Sequence, residues 1–185
     1  MGGNSPGFWI TASFAQAWFR DTFVESQQEG PDHRRKEVLF AVCFVESYLF
    51  ETVRDFVLRM KFSETTKYFP VDGPRRGIKR RCKEVFDRLY KNGKLTKAMK
   101  WNDPFWVEFC RLVDMRDGLI HASISRPDKS DLPRKEKPTP SVEEFFALHP
   151  GWALKRARNL VHAVHESIGI NAIEWIEYPE RLLRH

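Results

Sequence analysis

The chain is poor in cysteine and lacks a long apolar run. Its 185 residues include three cysteines, Cys43, Cys82 and Cys110. Because their number is odd and they lie far apart, they predict neither a disulfide framework nor a metal knuckle, and we expect three buried thiols in a reducing cytosol. The longest apolar run, Val38 to Val45, falls far below the roughly 20 residues that a membrane span needs. The first residues lack a secretory pattern, so we expect a cytoplasmic protein.

The sequence also lacks strand-like alternation, internal repeats and metal-ligand spacing. Its six histidines and its acidic residues show no ligand pattern, and we therefore expect no metal and no cofactor. What the chain has is 42% hydrophobic and 30% charged residues, with 15 Phe and 6 Trp, which is typical of one globular domain with large core side chains. The net charge of +6 favours an anionic partner.

Apolar residues recur at helical spacing in several segments. The strongest runs from about Asp32 to Phe62 and is apolar on more than one side, so we interpret it as the central helix of a bundle. Further helices are predicted over 8–25, 78–90, 104–116, 141–148 and 152–168. The pattern predicts an all-α fold with these residues in one core: Val42, Val45, Leu49, Val53, Phe56, Phe109, Leu112, Val161 and Val164. The proline-rich stretch 126–140 is predicted to be a mobile surface loop.

The stretch Arg116-Asp117-Gly118-Leu119-Ile120-His121 brings a cation, a carboxylate and an imidazole within six residues. An imidazole exchanges protons near neutral pH, and a guanidinium binds a phosphate without losing its own proton. Asp117 is placed to orient either of them. Gly118 is a residue that can end or bend the helix here. In an unbroken helix Arg116 and His121 lie about 140° apart around the axis, so they converge only if Gly118 bends the chain or the long arginine side chain reaches around.

Glu46 lies on the central helix with apolar residues on every side of it. Such a carboxylate is either buried with a partner, or placed at a groove, or extended to solvent from the edge of the apolar stripe. We expect the first arrangement, with Glu46 in hydrogen-bond or ion-pair reach of Arg116 or His121.

The densest basic cluster stands at the start of the helix that begins near Ile78. It consists of Arg75, Arg76, Lys79, Arg80, Arg81 and Lys83. Helix N-termini favour anions, and further lysines lead from the cluster to Trp101 and Trp106. Cations with aromatic rings nearby suit single-stranded RNA, although any one of these residues is more often part of a solvated face that keeps a protein soluble.

With the helices and the motif together, the sequence resembles the HEPN superfamily (higher eukaryotes and prokaryotes nucleotide-binding domains). The signature of that superfamily is Arg, then Asn, Asp or His, then three to five residues, then His. Arg116 to His121 fits its shortest version, and the helix bearing Glu46 is similar to an early HEPN helix that often carries an acid. The resemblance covers most of 32–168, leaving residues 1–30 as an N-terminal helical extension of a single 185-residue domain.

The resemblance implies an up-and-down bundle of four to six helices and a homodimer with two facing motifs. It implies a metal-independent endoribonuclease in which a ribose 2′-OH attacks the adjacent phosphate, as in toxin–antitoxin or defence systems. Arg116, Asp117, His121 and Glu46 would form the catalytic site. Arg158 and His165 also satisfy the longer spacing, but we interpret them as the exposed face of a packed helix. The alternative function is a non-catalytic module for nucleotide, RNA or protein binding, including a partner antitoxin or nucleotidyltransferase.

Overall fold

The computed structural model of the protein describes residues 14–54, 77–122, 142–171 and 173–183. Within these ranges the regular structure is entirely helical, which confirms the predicted all-α class. The elements are α1 (Phe14–Ser26), α2 (Pro31–Thr52), α3 (Ile78–Lys91), α4 (Pro104–Ala122), α5 (Val142–Phe146), α6 (Trp152–Ile168), α7 (Glu174–Glu177) and a 3₁₀ helix (Pro179–Leu183). None of these helices is both long and apolar enough to cross a membrane. The predicted loop 126–140 lies outside the described residues.

Helix α2 occupies the centre, as its sequence pattern predicts. Pro31 starts it, because proline has the φ of a first helical residue and its missing N–H is not needed there. Val38, Val42 and Val45 face the core on one side, and Phe44 is equally buried on another. The helix consequently packs against α1, α4, α5 and α6.

The predicted core is confirmed for every member that the structure describes. Those residues, all buried in one continuous cluster, are Val42, Val45, Leu49, Val53, Phe109, Leu112, Val161 and Val164. Phe56 lies outside the described residues. Each such side chain removed from water contributes roughly 1.5–3 kcal/mol, so packing rather than helix propensity holds these helices together.

Both ends of the described chain pack into this core. On α1, Phe19 is fully buried, and its ring centroid lies 4.9 Å from that of Phe44. The C-terminal segment, for which the sequence predicted no structure, inserts Ile176 into the core and places the Trp175 ring 5.2 Å from Phe19. The segment therefore covers one side of the bundle between α1 and α2.

The connection between α3 and α4, residues 92–103, is tied to the end of α6. The Thr96 and Lys97 amides donate to the Ser167 carbonyl at 2.9 and 3.2 Å. In return the Ser167 hydroxyl donates to the Lys97 carbonyl at 2.6 Å. Gly169 ends α6 in the left-handed region at φ 79°, and a Cβ there would lie 3.0 Å from Thr96 Cγ2, so glycine also admits the close approach.

Candidate functional site

The predicted motif lies on one uninterrupted helix. Gly118 is buried within α4, which continues past it to Ala122, so the prediction that Gly118 ends the helix is wrong, and the expected bend stays a prediction. Glycine costs about 1 kcal/mol relative to alanine inside a helix, and burial of Leu112, Val113 and Met115 outweighs that cost. The positions of Arg116 and His121 are therefore separated by about 140° around the axis of α4.

Arg116 and Asp117 form an ion pair at the surface of α4. Arg116 Nε lies 3.0 Å from Asp117 Oδ1, with the two side chains 20% and 29% exposed. The Nε atom is shielded from solvent and the contact lacks the direction of a hydrogen bond, so the attraction is mainly one of charge. Within the part of the chain that the structure describes, Arg116 Nε therefore makes no hydrogen bond. The His121 side chain lies outside what the structure describes.

Glu46 and Arg116 both act on the Cys43 thiol where α2 packs against α4. Burial raises the pKa of Cys43, the Glu46 charge raises it further, and the Arg116 charge opposes them. Among the described side chains no hydrogen bond or ion pair joins Glu46 to Arg116, and Glu46 is half-buried. The expected contact of Glu46 with Arg116 or His121 therefore stays a prediction.

The basic residues of α3 are partly engaged within the protein. Lys79 Nζ lies 2.6 Å from Asp114 Oδ2 of α4. Arg80 Nε donates to Glu84 Oε1 one turn along the same helix, at 2.7 Å. Arg81 is exposed. These ion pairs reduce the net positive charge that Lys79 and Arg80 present to an outside anion.

Lys83 completes the described part of the cluster. Its Nζ lies 5.8 Å from the Trp101 ring centroid and 6.0 Å from that of Trp106, within cation–π range. Trp106 is buried, and the Trp101 indole donates to Asp87 at 2.8 Å. The two rings thus belong to the packing between α3 and α4. Arg75 and Arg76 lie outside the described residues.

A second group of polar residues surrounds Glu177 of α7. Arg158 Nη2 lies 3.7 Å from Glu177 Oε2, and His162 Nε2 lies 3.4 Å from Glu177 Oε1. Arg158 Nε and Glu177 Oε1 are shielded from solvent and make no hydrogen bond with the described residues. A cleft of about 400 Å³ opens beside them, lined by Gly151, Leu154, Lys155, Arg158, Asn159 and His162.

His165, the partner of Arg158 in the longer spacing, is buried rather than exposed. It retains 3% of its accessible surface, and its Nε2 is hydrogen-bonded to the Tyr48 hydroxyl. Burial lowers the pKa of His165 to about 4, with the neighbouring His162 acting in the same direction and Glu177 opposing. The prediction of an exposed histidine is wrong because α2 and the C-terminal segment cover this side of α6.

Arg34 and Glu37 form a buried charged pair that the sequence did not reveal as important. They are 3% and 1% exposed, and Arg34 Nη1 donates to Glu37 Oε2. Glu37 Oε1 also accepts from the Ala153 and Leu154 amides at 2.9 and 3.0 Å, at the first turn of α6. Burial raises the pKa of Glu37, while those amides and Arg34 lower it. The carboxylate therefore caps α6, which favours a structural role.

No group of three or more potential ligands that could hold a metal ion occurs in the part of the chain that the structure describes. Comparison of the chain with protein-family models, with curated proteins and with solved structures found no match. The functional interpretation consequently depends on the chemistry of the residues themselves.

Proposed function

We propose that the protein is a HEPN-like endoribonuclease that cleaves RNA without a metal, with Arg116, Asp117 and His121 at its centre. The observation that carries the proposal is the partly buried Arg116–Asp117 pair, 3.0 Å apart, on the helix that also bears His121. A guanidinium held in this way, whose Nε makes no hydrogen bond with the described residues, is suited to bind the charge that develops on a phosphate.

The proposed reaction is an internal transfer at phosphorus. A base removes the proton of the ribose 2′-OH, and the 2′-oxygen forms a bond to the adjacent phosphorus. The bond from phosphorus to the 5′-oxygen breaks, and an acid returns a proton to that oxygen. His121 exchanges protons, Arg116 stabilises the anionic phosphorane and Asp117 orients its neighbours. DNA, which has no 2′-OH, would not be cut.

A homodimer meets a chemical requirement of this reaction. The reaction works best with a base and an acid together, whereas each motif supplies one imidazole. Two α4 helices facing each other would bring two copies of Arg116 and His121 to one cleft. Arg116 and His121 start about 140° apart around one continuous helix, roughly two-fifths of a turn, which also favours a site shared between two protomers.

The decisive experiment is cleavage of mixed RNA by the purified protein in EDTA. His121→Ala is expected to reduce cleavage by about 10²–10⁴-fold, the usual contribution of a positioned acid or base. His149→Ala, at an exposed histidine in the turn before α6, is the matched control and should cut as well as wild type. Wild-type protein that leaves diverse RNAs intact, or a His121→Ala variant that cuts normally, would refute the nuclease proposal.

RNA binding is tested separately at the exposed end of α3. Replacing Arg80 and Arg81 by alanine should weaken RNA binding and flatten its salt dependence, since each lost phosphate contact lowers the slope by roughly one. The cleavage chemistry should persist at saturating RNA. An unchanged salt slope would exclude α3 from the RNA-binding surface.

The alternative is a non-catalytic HEPN-like module that binds RNA, a nucleotide or a protein partner such as an antitoxin or a nucleotidyltransferase. It is favoured by the internal engagement of Lys79, Arg80 and Lys83, which leaves α3 less available for RNA. RNA binding without cleavage in the same assay would support this module. A nuclease centred on Arg158 and His165 is less suitable, because His165 is buried against Tyr48.

A further inference from the structure

The cleft beside α6 is separate from the motif on α4 and has a distinct chemistry. Its polar lining residues, Lys155, Arg158, Asn159 and His162, follow the spacing of one helical face. We propose that this cleft binds the phosphate group of a small phosphomonoester, with Arg158 and His162 as its principal ligands. This proposal is independent of the nuclease proposal.

The available donors support an anion. Arg158 and His162 approach Glu177 at 3.7 and 3.4 Å, beyond the usual 2.7–3.2 Å of an N–H···O hydrogen bond. Arg158 Nε is shielded from solvent and makes no hydrogen bond with the described residues. Lys155 adds a second cation at the exposed side of the cleft. Two cations, Lys155 and Arg158, therefore line the cleft, while one carboxylate, Glu177, contacts Arg158, and this excess of positive charge matches a phosphate.

The size and lining of the cleft restrict the ligand. About 400 Å³ lies within the range of small-molecule sites and exceeds the space that one inorganic phosphate needs. The lining residues include Leu154 but no Phe, Tyr or Trp ring on which a nucleobase would stack, and their one aromatic ring, that of His162, is assigned to the phosphate. Asn159 Nδ2 donates to Glu108 Oε2 at 3.5 Å, and the amide has a second N–H and a carbonyl oxygen for hydroxyl groups. These features favour a phosphorylated polyol or sugar over a nucleotide.

Glu177 is the feature that makes the proposal specific. Its carboxylate lies against the two donors that a phosphate would use, so it competes with the ligand and repels it. Removing the Glu177 charge should therefore strengthen phosphate binding. A purely structural Arg158–Glu177 pair predicts no such gain.

The test uses the full chain, with glycerol 3-phosphate and inorganic phosphate as probes, in isothermal titration calorimetry at constant ionic strength. Glycerol 3-phosphate should bind and glycerol should not. Arg158→Gln should weaken binding at least 10-fold, and Glu177→Gln should strengthen it about 5- to 10-fold, by removing one charge repulsion at close range. Arg20→Gln and Asp21→Asn, at an exposed ion pair of 3.3 Å on α1, are the matched controls and should leave binding unchanged.

Absence of phosphate binding to wild-type protein would overturn the proposal. So would equal binding by Arg158→Gln, or a Glu177→Gln variant that binds no more tightly than wild type. If Arg158→Gln unfolds, Glu177→Gln decides the matter alone, because it alters a carboxylate that is 34% exposed. RNA cleavage by these variants is measured in parallel and should match wild type, so the two proposals fail independently.

Discussion

Among the glutamate–arginine pairs of this protein, Arg34–Glu37 and Arg158–Glu177 both lie against α6 but are built differently. Arg34 and Glu37 are 3% and 1% exposed, whereas Arg158 and Glu177 are 29% and 34% exposed. Both clusters lie against α6, the first at its N-terminal turn and the second along its side. The two pairs therefore have the same residue types but differ in how far the surrounding protein buries them.

The difference lies in how completely each cluster satisfies its polar atoms. Arg34 Nη2 donates to the Glu25 and Gln28 carbonyls, and both Glu37 oxygens accept hydrogen bonds. In the second cluster the charged atoms remain 3.4 Å or more apart, and Arg158 Nε makes no hydrogen bond with the described residues. A satisfied buried network fixes the fold, whereas an unsatisfied cluster at a cleft can still bind a ligand.

The largest effect on the free energy of unfolding is expected from breaking the buried pair of Arg34 and Glu37. Glu37→Gln should lower the free energy of unfolding by about 3–5 kcal/mol, because it leaves the Arg34 charge buried without a counter-charge. Urea denaturation followed by circular dichroism measures this. The double variant Arg34→Met, Glu37→Leu should recover part of the loss by removing both charges. A loss below about 1 kcal/mol for Glu37→Gln would show that water reaches Arg34.

A smaller effect on the free energy of unfolding is expected from pH. It acts through His165, which lies near Arg158 and Glu177. Its pKa is lowered to about 4 in the folded protein, against 6.5 for the unfolded chain. Between pH 4 and pH 6.5 the unfolded state therefore binds more protons at His165 than the folded state does. The stabilisation that neutral His165 contributes is fully present above pH 6.5 and is lost as the pH falls toward 4. From pH 7 to pH 5 this amounts to about 2 kcal/mol.

The contribution of His165 is isolated by comparison with His165→Gln, which cannot titrate. The stability difference between wild type and this variant should shrink by about 2 kcal/mol over the same pH range. A difference that stays constant with pH would mean that His165 is accessible to protons in the folded protein.

The smallest effect is expected at Glu177. Glu177→Gln should change the free energy of unfolding by no more than about 0.5 kcal/mol, since partly exposed ion pairs contribute little. The same variant is the one expected to bind phosphate more tightly. A loss of stability comparable to that of Glu37→Gln would mean that Arg158 and Glu177 stabilise the fold as Arg34 and Glu37 do.

The long helices that the sequence predicted are those whose burial repeats over several turns. Helix α6 matches its predicted range of 152–168, and α3 extends one residue beyond its predicted end at Tyr90. Their apolar residues recur at helical spacing, so the local sequence pattern is enough to predict where these helices lie. The C-terminal segment was missed because a four-residue helix followed by a 3₁₀ turn is too short for a period to emerge. The signal that could have found it is the apolar pair Trp175 and Ile176.

The site residues were harder to predict because their partners are distant in sequence. Glu37 accepts from the Ala153 amide 116 positions away, and Tyr48 meets His165 117 positions away. No local spacing encodes such pairs. Gly118 illustrates the opposite case, where a local preference for breaking a helix was overridden by the packing of α4.

The tie between residues 92–103 and the end of α6 bears on how the protein can be re-engineered. A connection without regular structure is usually the first choice for an insertion or a circular permutation. Here the Thr96 and Lys97 amides and the Lys97 carbonyl are all bonded to Ser167. Added residues would lift these groups from their partners and expose the end of α6 at Gly169. A tag or new terminus placed in this connection would therefore be tolerated no better than one placed inside a helix.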